Sequence, residues 1–160
     1  MAGDNITTYL QKILDQRGYS FTTNAEVEIV RDIKEKFCYV VGDFDAAMKE
    51  AEESHACEKN YELPDGQTVM INAPRFMGPE AIFNPGLIKE GDETPGMHTM
   101  GFESIQDCDI DIRKDLYNNV ILSGGTTLYE GLPDRLEKEL DAMCPQQNMV
   151  KIIASQDRYY

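Results

Sequence analysis

Only two stretches of this chain are apolar enough to read as buried strands, Asn119-Val120-Ile121-Leu122-Ser123 and Val150-Lys151-Ile152-Ile153-Ala154. A parallel sheet with helices on both faces is built from more strands than that. The pattern therefore predicts a mixed α/β arrangement in which these two strands belong to a larger layer, and the chain reads as part of a domain. Its 160 residues would still bury roughly 70% of the unfolded surface.

Helical periodicity fills most of the remainder. Ile6, Tyr9, Leu10, Ile13 and Leu14 recur at helical spacing, with Asp4 or Asn5 as the expected cap and Gly18 as the stop. Thr23 and Glu26 have capping-box spacing ahead of Ile29, Val30, Ile33 and Phe37. Asp43 is expected to cap a peripheral helix ending at Glu53. Tyr61-Glu62-Leu63, Pro64-Asp65-Gly66 and Thr68-Val69-Met70-Ile71 read as a hairpin. Residues 73–101 hold Pro74, Pro79, Pro85 and Pro95 with five glycines, which predicts loop with one or two helical turns. Helices are predicted over 102–108, 110–117 and 134–143.

Charge and composition exclude several classes. With 15 Lys and Arg against 29 Asp and Glu, the net charge of -14 repels phosphate backbones and anionic lipid, so neither nucleic acid nor a membrane is an expected partner. Cys38, Cys57, Cys108 and Cys144 match no zinc spacing and no dense disulfide framework, which predicts reduced, mostly buried thiols. His55 and His98 lack ligand-spaced neighbours and read as surface residues. The absence of a charged-then-apolar leader and of a long apolar run points to the cytosol.

The candidate chemistry lies at Leu122-Ser123-Gly124-Gly125-Thr126-Thr127, where a strand is expected to hand over to a helix. Glycines admit a close approach of backbone to a ring or phosphate, and a following helix would offer free N–H donors. The same pattern also suits an ordinary turn.

Gly18-Tyr19-Ser20-Phe21-Thr22-Thr23, Glu28-Ile29-Val30-Arg31-Asp32-Ile33-Lys34-Glu35-Lys36, Tyr61-Glu62-Leu63-Pro64-Asp65-Gly66-Gln67, Asp109-Ile110-Asp111-Ile112-Arg113-Lys114-Asp115-Leu116-Tyr117 and the glycine run itself resemble actins, at consistent offsets over residues 2–160. By this resemblance the chain is identified as a divergent member of that family. The resemblance implies a mixed α/β fold, an incomplete half of the actin-like, ribonuclease H-like ATPase architecture. Residues 1–91 would be mainly the fourth subdomain, entered by a helix from the third, and 92–160 part of the third. It further implies an ATP-binding cytoskeletal protein of the cytoplasm that polymerises, with other actin subunits and actin-binding proteins as partners. ATP or ADP with Mg2+ or Ca2+ would bind the complete protein and only weakly this chain. Hydrolysis is expected from residues outside it, with no catalytic or metal residue inside it. The alternative is a truncated, inactive binder of actin or of actin-binding proteins.

The site residues carried by the resemblance are Gly3, Arg31, Lys34, Glu35, Gly124, Gly125, Thr126, Leu128 and Tyr129. Gly3 and the glycine turn would lie against the nucleotide, Leu128 and Tyr129 beside the adenine, and Glu35 would accept from ribose hydroxyls while the Lys34 stem packs on the base. Read from spacing alone, Arg31, Lys34 and Glu35 form a solvated helix face with an Arg31–Glu35 ion pair worth under about 1 kcal/mol. Four departures stand out: Leu128 for the usual Met, Glu130 for Pro, Tyr159 for Lys, and a longer, more polar loop at 86–97. Burying Lys89, Glu90, Asp92 and Glu93 of that loop between filament strands would be costly.

Overall fold

Helix α1 (Gly3–Gln16) forms where the first apolar stripe predicts it, and Ile6, Tyr9, Leu10, Ile13 and Leu14 are all buried. In this computed structural model, which describes residues 3–54, 57–89, 91, 93–144 and 149–159, the helix already includes Gly3. Asp4 and Asn5 therefore sit inside the first turn and do not cap it, although Asp4 still meets the positive end of the helix dipole. Past its end Tyr19 N–H donates to Leu14 O at 3.2 Å.

Helix α2 (Asn24–Phe37) carries the full capping box. Thr23 Oγ1 accepts from Glu26 N, and the Glu26 carboxylate accepts from Thr23 N at 2.7 Å. Its Val30 and Ile33 are fully buried. Asp43 caps α3 (Phe44–Glu53), which buries none of its residues and is peripheral as expected. Strands β1 (Lys59–Glu62) and β2 (Thr68–Ile71) make the hairpin, with Tyr61 opposite Val69, and turn Val69 and Ile71 inward.

The Pro- and Gly-rich stretch contains α4 (Pro74–Glu80) and a 3-10 turn at Pro85–Leu87. Phe76 of α4 is fully buried, and Gly78 lets the helix pack directly on Ile6 and Leu10 of α1. Helix α5 (Met97–Gln106) begins well before the expected Phe102, because Met97 N–H donates to Ile82 O at 2.9 Å and fixes the first turn there. Leu87 and Ile88 lean on Tyr9, Ile13 and Ala81, whereas Lys89 and Glu93 are exposed; Glu90 and Asp92 lie outside the described residues.

Helix α6 (Ile110–Tyr117) matches its predicted span and buries Tyr117 completely. Strands β3 (Val120–Ile121) and β4 (Ile152–Ile153) pair in parallel, and Leu122 N–H extends the ladder to Ile153 O at 2.9 Å. Both are shorter than predicted, and they are not buried strands: Ile121 is 70% exposed. Helix α7 (Leu132–Met143) covers one face with Leu132, Leu136 and Leu140, so alternation buries Leu122 and Val150 and turns Ile121 outward. Pro133 near the start of α7 explains why that helix begins before Asp134.

One apolar cluster joins α1, α2 and the hairpin to α7 and the β3–β4 pair. Two further expectations are corrected. Cys38 is buried, but Cys57, Cys108 and Cys144 are only half-buried, and none of the four forms a disulfide. His98 is not a surface residue: its ring lies 5.7 Å from that of Phe83, and this burial lowers its pKa. His55 lies outside the described residues.

Candidate functional site

Three segments far apart in sequence meet at one cleft. The C-terminal half of α2 supplies Lys34 and Glu35, the glycine turn supplies Gly125, Thr126, Leu128 and Tyr129, and the segment after β4 supplies Tyr159. The cavity measures ≈ 550 Å³, the size of a small-ligand pocket.

The glycine run does not open a long helix, contrary to the expected handover. It forms a 3-10 turn at Gly125–Leu128, and α7 starts only after Gly131. Gly124 has φ 93° and ψ 152°, backbone territory that is essentially restricted to glycine. Its N–H donates to Arg158 O at 2.7 Å, and its carbonyl accepts from Thr127 N and Thr127 Oγ1. Arg158 returns the contact, donating through Nε and Nη2 to Thr127 O at 3.3 and 3.0 Å. The turn is thus buckled to the segment that follows β4.

Lys34 is buried, and its Nζ donates to Thr7 Oγ1 at 3.0 Å and Gly3 O at 3.2 Å. A Cβ on Gly3 would stand 3.2 Å from Thr126 Oγ1 and 3.5 Å from Lys34 Nζ. The start of α1, the last turn of α2 and the glycine turn therefore converge on one point, with a fixed positive charge at its floor. Glu35 is exposed on the wall. Tyr129 is buried, and desolvation first, then Cys38 and Glu35, push its hydroxyl pKa up, so it stays a neutral donor. Burial pushes the Cys38 thiol up to about 12, which makes it inert rather than nucleophilic.

Of the sequence-derived residues, Lys34, Glu35, Gly125, Thr126, Leu128 and Tyr129 line the cleft and Gly3 adjoins it. Gly124 shapes the turn. Arg31 pairs with Glu28 at 3.2 Å and Asp4 at 3.5 Å instead of Glu35, tying α2 to the start of α1. The anchoring contacts of Thr7 and Arg158 carry no local sequence signal, since both are made across the fold.

Compared with known protein families, the chain matches the actin family model over residues 1–160. It belongs to the actin family. The mixed α/β architecture with small sheets suits a portion of an actin fold, and none of the described helices is long and apolar enough to cross a membrane.

Helix α7 of this actin-family chain is fastened by a cluster of charged side chains. Arg135 grips Glu80 of α4 through both guanidinium ends at 3.2 Å, meets Glu139 at 2.6 Å, and donates to Val41 O at 2.8 Å. Its guanidinium carbon lies 5.0 Å from the Phe83 ring centroid. Lys138 adds a bond to Gly42 O at 2.7 Å.

Proposed function

We propose that this chain holds the adenosine portion of ATP or ADP and acts as part of a filament-forming actin of the cytoplasmic cytoskeleton. The convergence of Gly3, Lys34 and Thr126 at the floor of a cleft walled by Gly125, Leu128 and Tyr129 carries the reading. The cleft fits the group: Leu128 gives an apolar contact, and Glu35 can accept from ribose hydroxyls. The buried Lys34 ammonium favours the negative end of the ligand. When bound with Mg2+ or Ca2+, the nucleotide supplies a hydrolysable phosphoanhydride; this cleft is assigned binding and no catalytic step.

In this reading residues 1–91 act mainly as the fourth subdomain and 92–160 as part of the third. The packing of α1 with α2 and α4, and of α7 with α5 and β4, supports the division. Other actin subunits are the proposed partners. Titration of the purified chain with ADP, followed by NMR, is expected to give weak, saturable shifts at Gly125, Thr126 and Lys34. Their absence at millimolar ADP would overturn the reading. Lys34→Met removes the donor to Gly3 O and Thr7 Oγ1 and is expected to weaken ADP binding about tenfold.

A second reading, a binder of actin or actin-binding proteins, is favoured by one observation. Ile121 of β3 and its register partner Ile153 of β4 leave apolar surface exposed, as does Met149 shortly before β4, at 79% exposure. Cosedimentation of the pure chain with growing actin filaments, or block of their elongation, tests it.

A further inference from the structure

The segment after β4 brings an aromatic ring to the cleft mouth. A Cβ built on Gly125 would stand 3.2 Å from Tyr159 Cε2 and 3.5 Å from Cδ2, so one edge of the ring lies directly over the glycine. Most of the ring remains open, at 64% exposure, and it lines the same cleft as Leu128, Tyr129 and Lys34. Arg158 holds the segment in place from the other side of the turn: its side chain bonds Thr127 O and Ser155 O, and its carbonyl accepts from Gly124 N–H. An exposed aromatic that follows directly on a residue bonded to the glycine turn through both its carbonyl and its side chain is a preformed platform for a second flat ring, because less ordering is needed when that ring arrives. The position is also one where the resemblance expects Lys, which offers a charge but no π-face.

We propose that Tyr159 is a specificity-determining residue of this cleft, stacking on the base of a bound nucleotide and selecting purines over pyrimidines. This rests on the nucleotide reading above and adds to it the residue that discriminates and the class of base preferred. Stacking scales with ring overlap, so a two-ring purine gains more from Tyr159 than a one-ring pyrimidine, whereas contacts to ribose and phosphate are common to both. Truncating an aromatic that stacks on a base costs about five- to tenfold in affinity at the lower end of the observed range.

The test is a titration of the whole chain with ADP and with CDP, read by NMR, in the natural sequence and in Tyr159→Ala and Tyr159→Phe. The expected result is a preference for ADP over CDP of about two- to threefold, a fraction of the whole stacking contribution because a pyrimidine also stacks, with upfield ring-current shifts of the Tyr159 ring protons with ADP, collapse of the preference in Tyr159→Ala, and its recovery in Tyr159→Phe. Circular dichroism checks that both variants keep the native helix content. Unchanged preference in Tyr159→Ala with ADP still bound would overturn the stacking role and leave the cleft reading standing. Failure of both nucleotides to bind the natural chain would overturn the cleft reading and the stacking role together.

Discussion

Arg135→Ala is expected to lower folding stability by about 3–5 kcal/mol, enough to unfold a substantial fraction of a domain of ordinary stability. The size follows from what is left behind. The side chains of Arg135 and Glu80 are only 10% and 6% exposed, and the guanidinium supplies both charge compensation and two hydrogen bonds to the carboxylate. Removing it strands a buried anion, and it also frees Val41 O and exposes the Phe83 face. Urea denaturation followed by circular dichroism measures the loss. Glu80→Gln added to Arg135→Ala is expected to recover part of it, since an amide tolerates the site better than an unpartnered carboxylate.

The pH dependence of that loss separates a charge effect from simple loss of packing. Burial raises the Glu80 pKa above the ordinary carboxylate range, with Arg135 pulling against it. A carboxyl whose folded pKa is raised binds its proton more tightly in the native state. Its contribution is therefore fully present at low pH and lost as pH climbs from the unfolded value through the folded one. Without Arg135 the folded value rises further. The variant's deficit should be smallest near pH 5 and largest near pH 8; a deficit flat across that range would mean that packing, not charge, sets the cost.

How much of this was legible in the sequence depended on how local each determinant is. Thr23 and Glu26 lie three residues apart and satisfy each other's backbone, so the start of α2 could be read directly, as could the helix at 110–117. The start of α5 could not, because it is fixed by a bond from Met97 to Ile82 across the Pro- and Gly-rich loop. The apolarity of Val120-Ile121 marked a strand, but apolarity does not say which face a neighbouring helix covers, and Ile121 proved to face outward. At the cleft, resemblance named the lining more completely than chemistry did. Nothing local shows that Lys34 reaches Gly3 and Thr7, or that Arg31 prefers Glu28 and Asp4 to the equally well-spaced Glu35. Arg135 and Glu139 have only the i,i+4 spacing of any helix-surface pair, and the arrival of Glu80 from α4 is what makes Arg135 the centre of a buried cluster.

Gly131→Ala is the second large effect, expected to cost about 3 kcal/mol or more. Gly131 adopts φ 79° and ψ -9°, a left-handed conformation that costs a residue with a Cβ about 1–2 kcal/mol before any contact is counted. The space is also taken. A Cβ there would stand 2.3 Å from Val40 O and 3.3 Å from Val40 C, and backbone atoms cannot rotate away as a flexible side chain would. Relief requires separating the 39–41 segment from residue 130, which breaks the Val40 N–H to Glu130 O bond of 2.8 Å and the parallel bridge between Tyr39 and Glu130. Those contacts join the α2–α3 connection to the start of α7, and Tyr129 and Glu130 line the cleft, so the displacement should reach the site. The molecules that still fold are expected to bind ADP more weakly than the natural chain. Gly42→Ala is the matched control, two residues beyond the same contact: no atom lies within 4 Å of its Cβ position, and its stability should stay within about 0.5 kcal/mol of the natural chain. Thermal melts of the two variants side by side decide the matter, and equal midpoints would show that the left-handed turn and its contact with Val40 do not hold the two parts of the fold together.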